Sequence, residues 1–115
     1  MGEIGEELAC QELGRLGYAV VARRYRRRGG EIDIIARDGA TLVFVEVKTR
    51  DGARFGTGAE AVTWVKRRRL AGVALDYLVR HHAVNHPCRF DVVSVQVGDC
   101  GADIEVIRNA FDLTE

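Results

Sequence analysis

Four ionisable residues recur at alternate positions in two segments otherwise built from Ile, Val, Leu and Phe. Glu31 and Asp33 stand in the first and Glu46 and Lys48 in the second, within GGEIDIIARDGATLVFVEVKTR at residues 29–50. Carboxylates beside an ammonium can do two kinds of work. They can neutralise one another as an ordinary polar face, with Lys48 and nearby arginines as counter-ions, or they can hold a divalent cation. Mg2+ and Mn2+ suit carboxylate, carbonyl and water ligands, and Mg2+ takes one or two protein carboxylates and leaves the rest of its shell to water and phosphate.

Which of these applies depends on where the side chains point. Asp38 and Gly39 separate the two segments, and both tolerate the positive φ of a tight two-residue hairpin turn. With that turn Arg37 pairs with Ala40, Asp33 lies opposite Phe44, and Glu31 lies opposite Glu46. Paired residues share a sheet face and alternate residues keep it. Glu31, Asp33, Glu46 and Lys48 therefore project to one side, and Ile32, Ile34, Val43, Val45 and Val47 to the other. Asp33 and Glu46 become diagonal neighbours, with Cα atoms roughly 7 to 8 Å apart, which leaves room for a cation. Like charges facing each other destabilise a hairpin, and a carboxylate under a covering helix loses water. Three acids and a lysine on one face thus favour a Mg2+ or Mn2+ site.

The surrounding pattern supplies the elements that would hold this hairpin. Residues 3–16 read as a helix, with Ile4, Leu8, Ala9, Leu13 and Leu16 at helical spacing and Gly17 as a stop. Glu6 falls at the edge of that stripe and Glu12 near its middle, so at least one faces inward. YAVVARRYR reads as a strand, residues 31–37 and 40–49 as two more, and residues 50–58 as a glycine-rich loop. A second helix over 59–82 carries Val62, Val65, Leu70, Val73, Tyr77 and Leu78 as its apolar stripe. Two strands over 89–97 and 103–108 complete an αβββαββ order, an α/β or α+β sheet packed between helices. Lys66 sits within the second stripe, where it can snorkel to the surface, neutralise a carboxylate on the sheet, or reach a bound phosphate.

Length and composition narrow the classes. At 115 residues, 47% apolar and 30% charged, the chain fits one globular domain over 1–115. No apolar run approaches the roughly 20 residues of a membrane span, and the acidic start is unlike a secretory signal, so a cytoplasmic protein with no membrane partner is expected. Cys10, Cys88 and Cys100 lack the spacing of a zinc site or disulfide framework. His81, His82 and His86 cluster near the end of the second helix, where surface or helix-terminal roles are expected. The formal net charge is zero, yet Arg23, Arg24, Arg26, Arg27 and Arg28 crowd one segment and Lys66, Arg67, Arg68 and Arg69 another. A solvated face accounts for either run by itself. Two such runs flanking a carboxylate-rich hairpin point to a polyanionic partner, because Arg offers several donors suited to phosphate.

The residues of the hairpin have the form of the PD-(D/E)XK nuclease signature: an Asp on one strand, then Glu-Val-Lys on the next, framed by an αβββαβ core. Together with GEIGEELA, RFGTGAEAV, KRRRL, RFDVVSV and IRNAF, they resemble the YraN family, small bacterial proteins related to Holliday-junction resolvases, over nearly the whole chain. The resemblance implies a restriction-endonuclease-like fold, a mixed central sheet flanked by helices. It casts Asp33 and Glu46 as metal ligands, the Val47 carbonyl as a third, and Lys48 as the catalytic lysine. Glu6 falls where resolvase-like relatives carry a helical glutamate near the metal, and Glu31 stands beside the site. Ile32 replaces the proline of the signature's name, and Glu12 occupies a position where the family leads one to expect an aromatic residue.

The same resemblance implies hydrolysis of DNA phosphodiesters with Mg2+ or Mn2+, on branched, single-stranded or otherwise non-duplex substrates. Lys66 would support the site. Arg24, Arg26, Arg27, Arg28, Arg50, Arg54, Arg67 and Arg68 would contact nucleic acid. Symmetric cutting of a junction would call for a homodimer. Two other classes stay open: a nucleic-acid-binding protein of nuclease fold that acts as a partner in recombination, repair or DNA uptake, and a protein-interaction module with acidic and basic faces that needs no metal.

Overall fold

The structure, a computed structural model, describes residues 2–51 and 63–111. Its elements follow the expected order: α1 (Gly2–Arg15), β1 (Ala19–Arg27), β2 (Gly30–Asp38), β3 (Thr41–Asp51), α2 (Trp64–Arg80), β4 (Cys88–Gly98) and β5 (Gly101–Phe111). The five strands form one sheet in the order β1-β2-β3-β4-β5. Only β3 and β4 pair in parallel, as a crossover through α2 requires, whereas short turns join the antiparallel pairs. The architecture is a mixed α/β sheet with a helix on each face, compatible with a restriction-endonuclease-like fold.

Each face has its own core. On one side Ala9 and Leu13 of α1 pack with Tyr18 against Ile34, Val43, Val45 and Val93. On the other, Leu70, Val73 and Tyr77 of α2 cover Ile35, Phe44 and Val92. Both helices end in the same way. Gly17, at φ 95°, takes the left-handed position after α1, and Tyr18 N–H reaches back to the Leu13 carbonyl at 2.9 Å, which sets Tyr18 beside the leucine it packs on. His82, at φ 53°, does the same after α2, with Ala83 N–H bound to the Leu78 carbonyl at 2.8 Å. At its other end α1 lies close on β3, where a Cβ on Gly5 would run into the Thr49 hydroxyl.

Several expectations need correction. The β2–β3 turn is Gly39 and Ala40, because Asp38 pairs with Thr41 and Ile35 with Phe44. The register is therefore two residues away from the one expected. Alternation in β2 also breaks: Ile32 packs on the α2 side with Ile35, while Ile34 packs on the α1 side. Ile4 at 61% and Leu16 at 37% exposure are outside the core, as is Val65 at 52%, since each helix is covered by the sheet only along its middle turns. Arg50 and Asp51 extend β3 instead of starting a loop. The rest of that loop with Arg54, and Val62 at the expected start of the second helix, lie outside the described residues. Among the described residues no helix is long and apolar enough to cross a membrane, and Cys10, Cys88 and Cys100 are free thiols.

Candidate active site

The site begins where β2 and β3 stop pairing. Their ladder ends at Ile34–Val45, so the next residue on each strand, Asp33 and Glu46, is the first beyond it. The Val47 N–H would lack a partner here, and the Asp33 carboxylate accepts it through Oδ2 at 2.8 Å. A side chain has replaced a strand carbonyl, which holds the fork open and fixes Asp33 in place. On the other flank of β2 the break in alternation has its counterpart in β1. Arg24, between the paired Arg23–Ile34 and Tyr25–Ile32, adopts φ 52°, a left-handed conformation uncommon for a side chain other than Gly, Asn or Asp. Its guanidinium is anchored by Glu6 of α1, Nε to Oε1 at 3.0 Å.

Glu46 is buried at 6% exposure. Two ammonium groups compensate it: Lys66 Nζ lies 2.7 Å from Oε1 and Lys48 Nζ 3.8 Å from the same oxygen. The aim of Lys66 follows from how α2 starts. Thr63 is the N-cap, its hydroxyl accepting the Lys66 N–H at 3.2 Å, and the lysine in this capped first turn faces the sheet. Of the three roles open to Lys66 in the sequence, neutralising a carboxylate is the one seen.

Electrostatics at the fork are unbalanced. Burial, followed by the charge of Glu46, pushes the Asp33 carboxyl up to about 6, although the Val47 N–H and Lys66 oppose the shift. Burial and then Lys66 lower the pKa of Lys48. Burial is the largest influence on the Lys66 ammonium and works against it, but the hydrogen bonds to Glu46 and Lys48 and the charges of Glu46 and Asp33 together leave its pKa raised. The four groups thus form one interacting set at the fork, with two acids in mutual repulsion and two cations shared between them.

The remaining candidates spread around this set. Glu6 is near enough for its charge to raise the pKa of Asp33, but its carboxylate is engaged by Arg24. Glu31 pairs loosely with Arg26 at 3.4 Å and lines a pocket with Lys66. Arg27 is bound to Asp76 at 2.9 Å. Arg67 lies 5.2 Å over the Phe111 ring and Arg68 5.0 Å over that of Trp64. Arg28 is exposed in the β1–β2 turn, and Arg50 is half-buried on β3. The basic runs are thus partly internal ion-pair partners. His81 stacks on Tyr77, with ring centroids 4.0 Å apart, a helix-end packing role.

Among the described residues no three His, Cys, Asp or Glu side chains converge to hold a metal by themselves. A cation at the fork could take Asp33 and Glu46 as its carboxylate donors, with the Val47 carbonyl next along β3 and water for the rest of its shell. That set suits Mg2+ or Mn2+, which need no more than one or two carboxylates. Two close acids, Glu46 buried and Asp33 half-buried, also supply the negative charge that a cation would relieve.

One further cluster is absent from the residues that the sequence singles out. Asp91 of β4 is fully buried and accepts Tyr18 Oη, Arg89 Nε and Asn109 N–H, each at 3.0 Å. Arg89 also reaches Asp38 at 2.9 Å. The signal was available: an aspartate inside RFDVVSV, between Phe90 and Val92 in a strand rich in apolar residues, must meet a partner.

Residues 5–95 match the family described as "Uncharacterised protein family UPF0102". A UPF0102 protein of Symbiobacterium thermophilum is 54% identical over 112 residues, covering 96% of this chain and 95% of its own. One from Geobacter sulfurreducens is 47% identical over 114 residues, covering 98% and 89%, and one from Nocardia farcinica is 53% identical over 95 residues, covering 83% and 75%. Matched across most of its length by the profile and by such relatives, the chain belongs to the UPF0102 family, the YraN family that its motifs resemble.

Proposed function

We propose that this protein is a metal-dependent endonuclease that hydrolyses phosphodiester bonds in branched or otherwise non-duplex DNA in the cytoplasm. The observation that carries the reading is the fork itself: the half-buried Asp33 and the buried Glu46, set beside Lys48 and Lys66 where the β2–β3 ladder ends. Asp33, Glu46 and the Val47 carbonyl would hold Mg2+ or Mn2+, which when bound polarises a phosphate and acidifies water. Lys48, its pKa lowered by burial and by Lys66, orients the attacking water or stabilises charge on the phosphate oxygens. Lys66, 2.7 Å from Glu46, adds a second cation beside the substrate. Exposed arginines such as Arg28 hold the strand by its backbone. A homodimer would bring two such sites to opposite strands of a junction.

A second reading has its own support. The 2.7 Å Lys66–Glu46 contact neutralises Glu46 with no metal at all, as in a nucleic-acid-binding protein of nuclease fold that does not cleave. Labelled four-way junctions, flaps, single strands and duplexes incubated with Mg2+ or Mn2+ decide between the two. Cleavage that falls about 100-fold or more in Lys48→Ala, with metal binding by calorimetry lost in Asp33→Ala, is the expected result. Tight binding without cleavage selects the second reading, and a calorimetric isotherm unchanged in Asp33→Ala removes the metal from the site.

A further inference from the structure

Lys66 is shared between the acid pair and a pocket of about 370 Å³ that opens between the β1–β2 turn and the first two turns of α2. Gly29 and Gly30 form one wall, bare of side chains, with Glu31 at its end. Val65 and Leu70 supply an apolar surface, and Lys66 and Arg69 bring two cations to it. No acid stands in the first turn of α2, so positive charge dominates that side. Val65 is 52% exposed, an apolar group left open beside long cationic side chains.

This combination has a specific complement. A flat, largely apolar ring carrying a phosphate would lay the ring on Val65 and Leu70 and the phosphate between Lys66 and Arg69. The Glu31 carboxylate on the facing wall can accept from an exocyclic amino group. The volume lies at the low end of the range for small-molecule pockets, about 300–1,000 Å³, enough for one nucleotide and too small for a base pair. A base held in a duplex must be unpaired and unstacked before it can enter such a pocket, whereas a base in a flap, a junction or a single strand is already free.

We infer that the pocket receives one unpaired nucleotide of a DNA strand and holds the adjoining phosphate toward Asp33 and Glu46. This rests on the DNA-directed reading above and adds to it a physical basis for preferring non-duplex DNA. Lys66 links the two, since it lines the pocket and touches Glu46.

The test blocks the pocket and leaves the acid pair alone. A Cβ on Gly30 would meet only Val73 Cγ2 at 3.5 Å and Arg69 Cβ at 3.9 Å, ordinary contacts, so Gly30→Leu can fill the pocket from its bare wall. Binding of a short labelled single strand and of the corresponding blunt duplex is measured by fluorescence anisotropy in EDTA, where no cleavage intervenes. Wild type is expected to prefer the single strand by about tenfold, and Gly30→Leu to bind both nearly equally. Trp64, the chain's one tryptophan, stands between Thr63 and Val65 and should be quenched by the single strand far more than by the duplex. If Gly30→Leu fails to fold, Val65→Glu places a like charge against the phosphate from an exposed position and should abolish the same preference. A preference equal in wild type and in the folded variant overturns the inference, as does wild type that binds both DNAs alike. Loss of preference in the variant from a protein that never cleaves sustains the pocket and fails the nuclease reading; cleavage with an unchanged preference does the reverse.

Discussion

Two buried carboxylate centres lie on opposite faces of the parallel β3–β4 pair, and they are neutralised in different ways. Asp91, level with Val45, faces α1 and Tyr18. Its oxygens are engaged by a tyrosine hydroxyl, an arginine and a backbone N–H, all near 3.0 Å, and the guanidinium groups of Arg89 and Arg108 lie 5.5 and 5.4 Å from the Tyr18 ring centroid. Glu46, one residue along from Val45, faces α2 beside Asp33, and the ion pairs it makes among the described residues are with two lysines on flexible stems. A planar guanidinium locked by several hydrogen bonds cannot leave without cost, whereas an ammonium can swing away to admit a substrate or a metal. The first centre holds the fold together, and the second retains charge that a ligand can use.

Asp91→Ala tests that division with the largest expected effect. Among the described residues it leaves the half-buried Arg89 bonded to Asp38 and Tyr18, and it strips the acceptor from Asn109 N–H, whose left-handed φ of 51° lies in the β5 bulge opposite Asp91. Breaking a buried pair from one side costs about 3–5 kcal/mol, to be read from urea unfolding. Asp33→Ala removes a carboxylate that burial disfavours and should cost far less. Equal losses at the two positions would erase the distinction.

These two centres also differ in how visible they are from the sequence. The faces of Glu46 and Lys48 survive an error of two residues in the turn, because strand parity has period two and a slip of two restores it. The turn itself moves for a tertiary reason. Asp-Gly is a good hairpin pair locally, but Asp38 is bound by Arg89, 51 positions along the chain, and remains in the strand. Ile32 takes the face opposite to the one its spacing suggests because nothing local announces the kink at Arg24 and Asp33. The need of Asp91 for a partner is visible, but two of its partners are hidden for the same cause, since Tyr18 and Asn109, 73 and 18 positions away, reach it only in the folded chain.

A second difference between the centres appears with pH. In metal-free solution the Asp33 carboxyl titrates near 6 in the folded protein against an ordinary value of 3.8. Between these values the folded state holds the proton more tightly than the unfolded chain, so stability falls as pH rises through the window and the full penalty applies above 6. A shift of this size is worth at most about 3 kcal/mol. Urea unfolding from about pH 4 to about pH 7 should show this decline in wild type and a flatter profile in Asp33→Asn, whose amide oxygen can still accept from Val47. Identical profiles would mean that Asp33 is not the strained member of the pair. Added Mg2+ should reduce the decline, since a bound cation favours the ionised carboxylate.

The smallest effect separates two glutamates on one helix. Glu6 and Glu12 both approach the inner side of α1, with side-chain exposures of 13% and 20%, yet only Glu6 is felt at Asp33. Glu12 folds back on Arg15 one turn away, at 2.9 and 2.7 Å, and this solvent-facing pair lowers the pKa of its carboxyl chiefly through the Arg15 hydrogen bond. Exposed pairs of this kind contribute little to stability. Glu12→Gln should therefore leave the melting temperature and the pH profile of Asp33 unchanged, while Glu6→Gln should lower the Asp33 pKa by removing a nearby negative charge. It should also release Arg24 from its anchor beside the fork. An NMR titration of the Asp33 carboxyl in the two variants reads the difference directly, and a shift of equal size in both would show that the acid centre extends along α1 and does not end at Glu6.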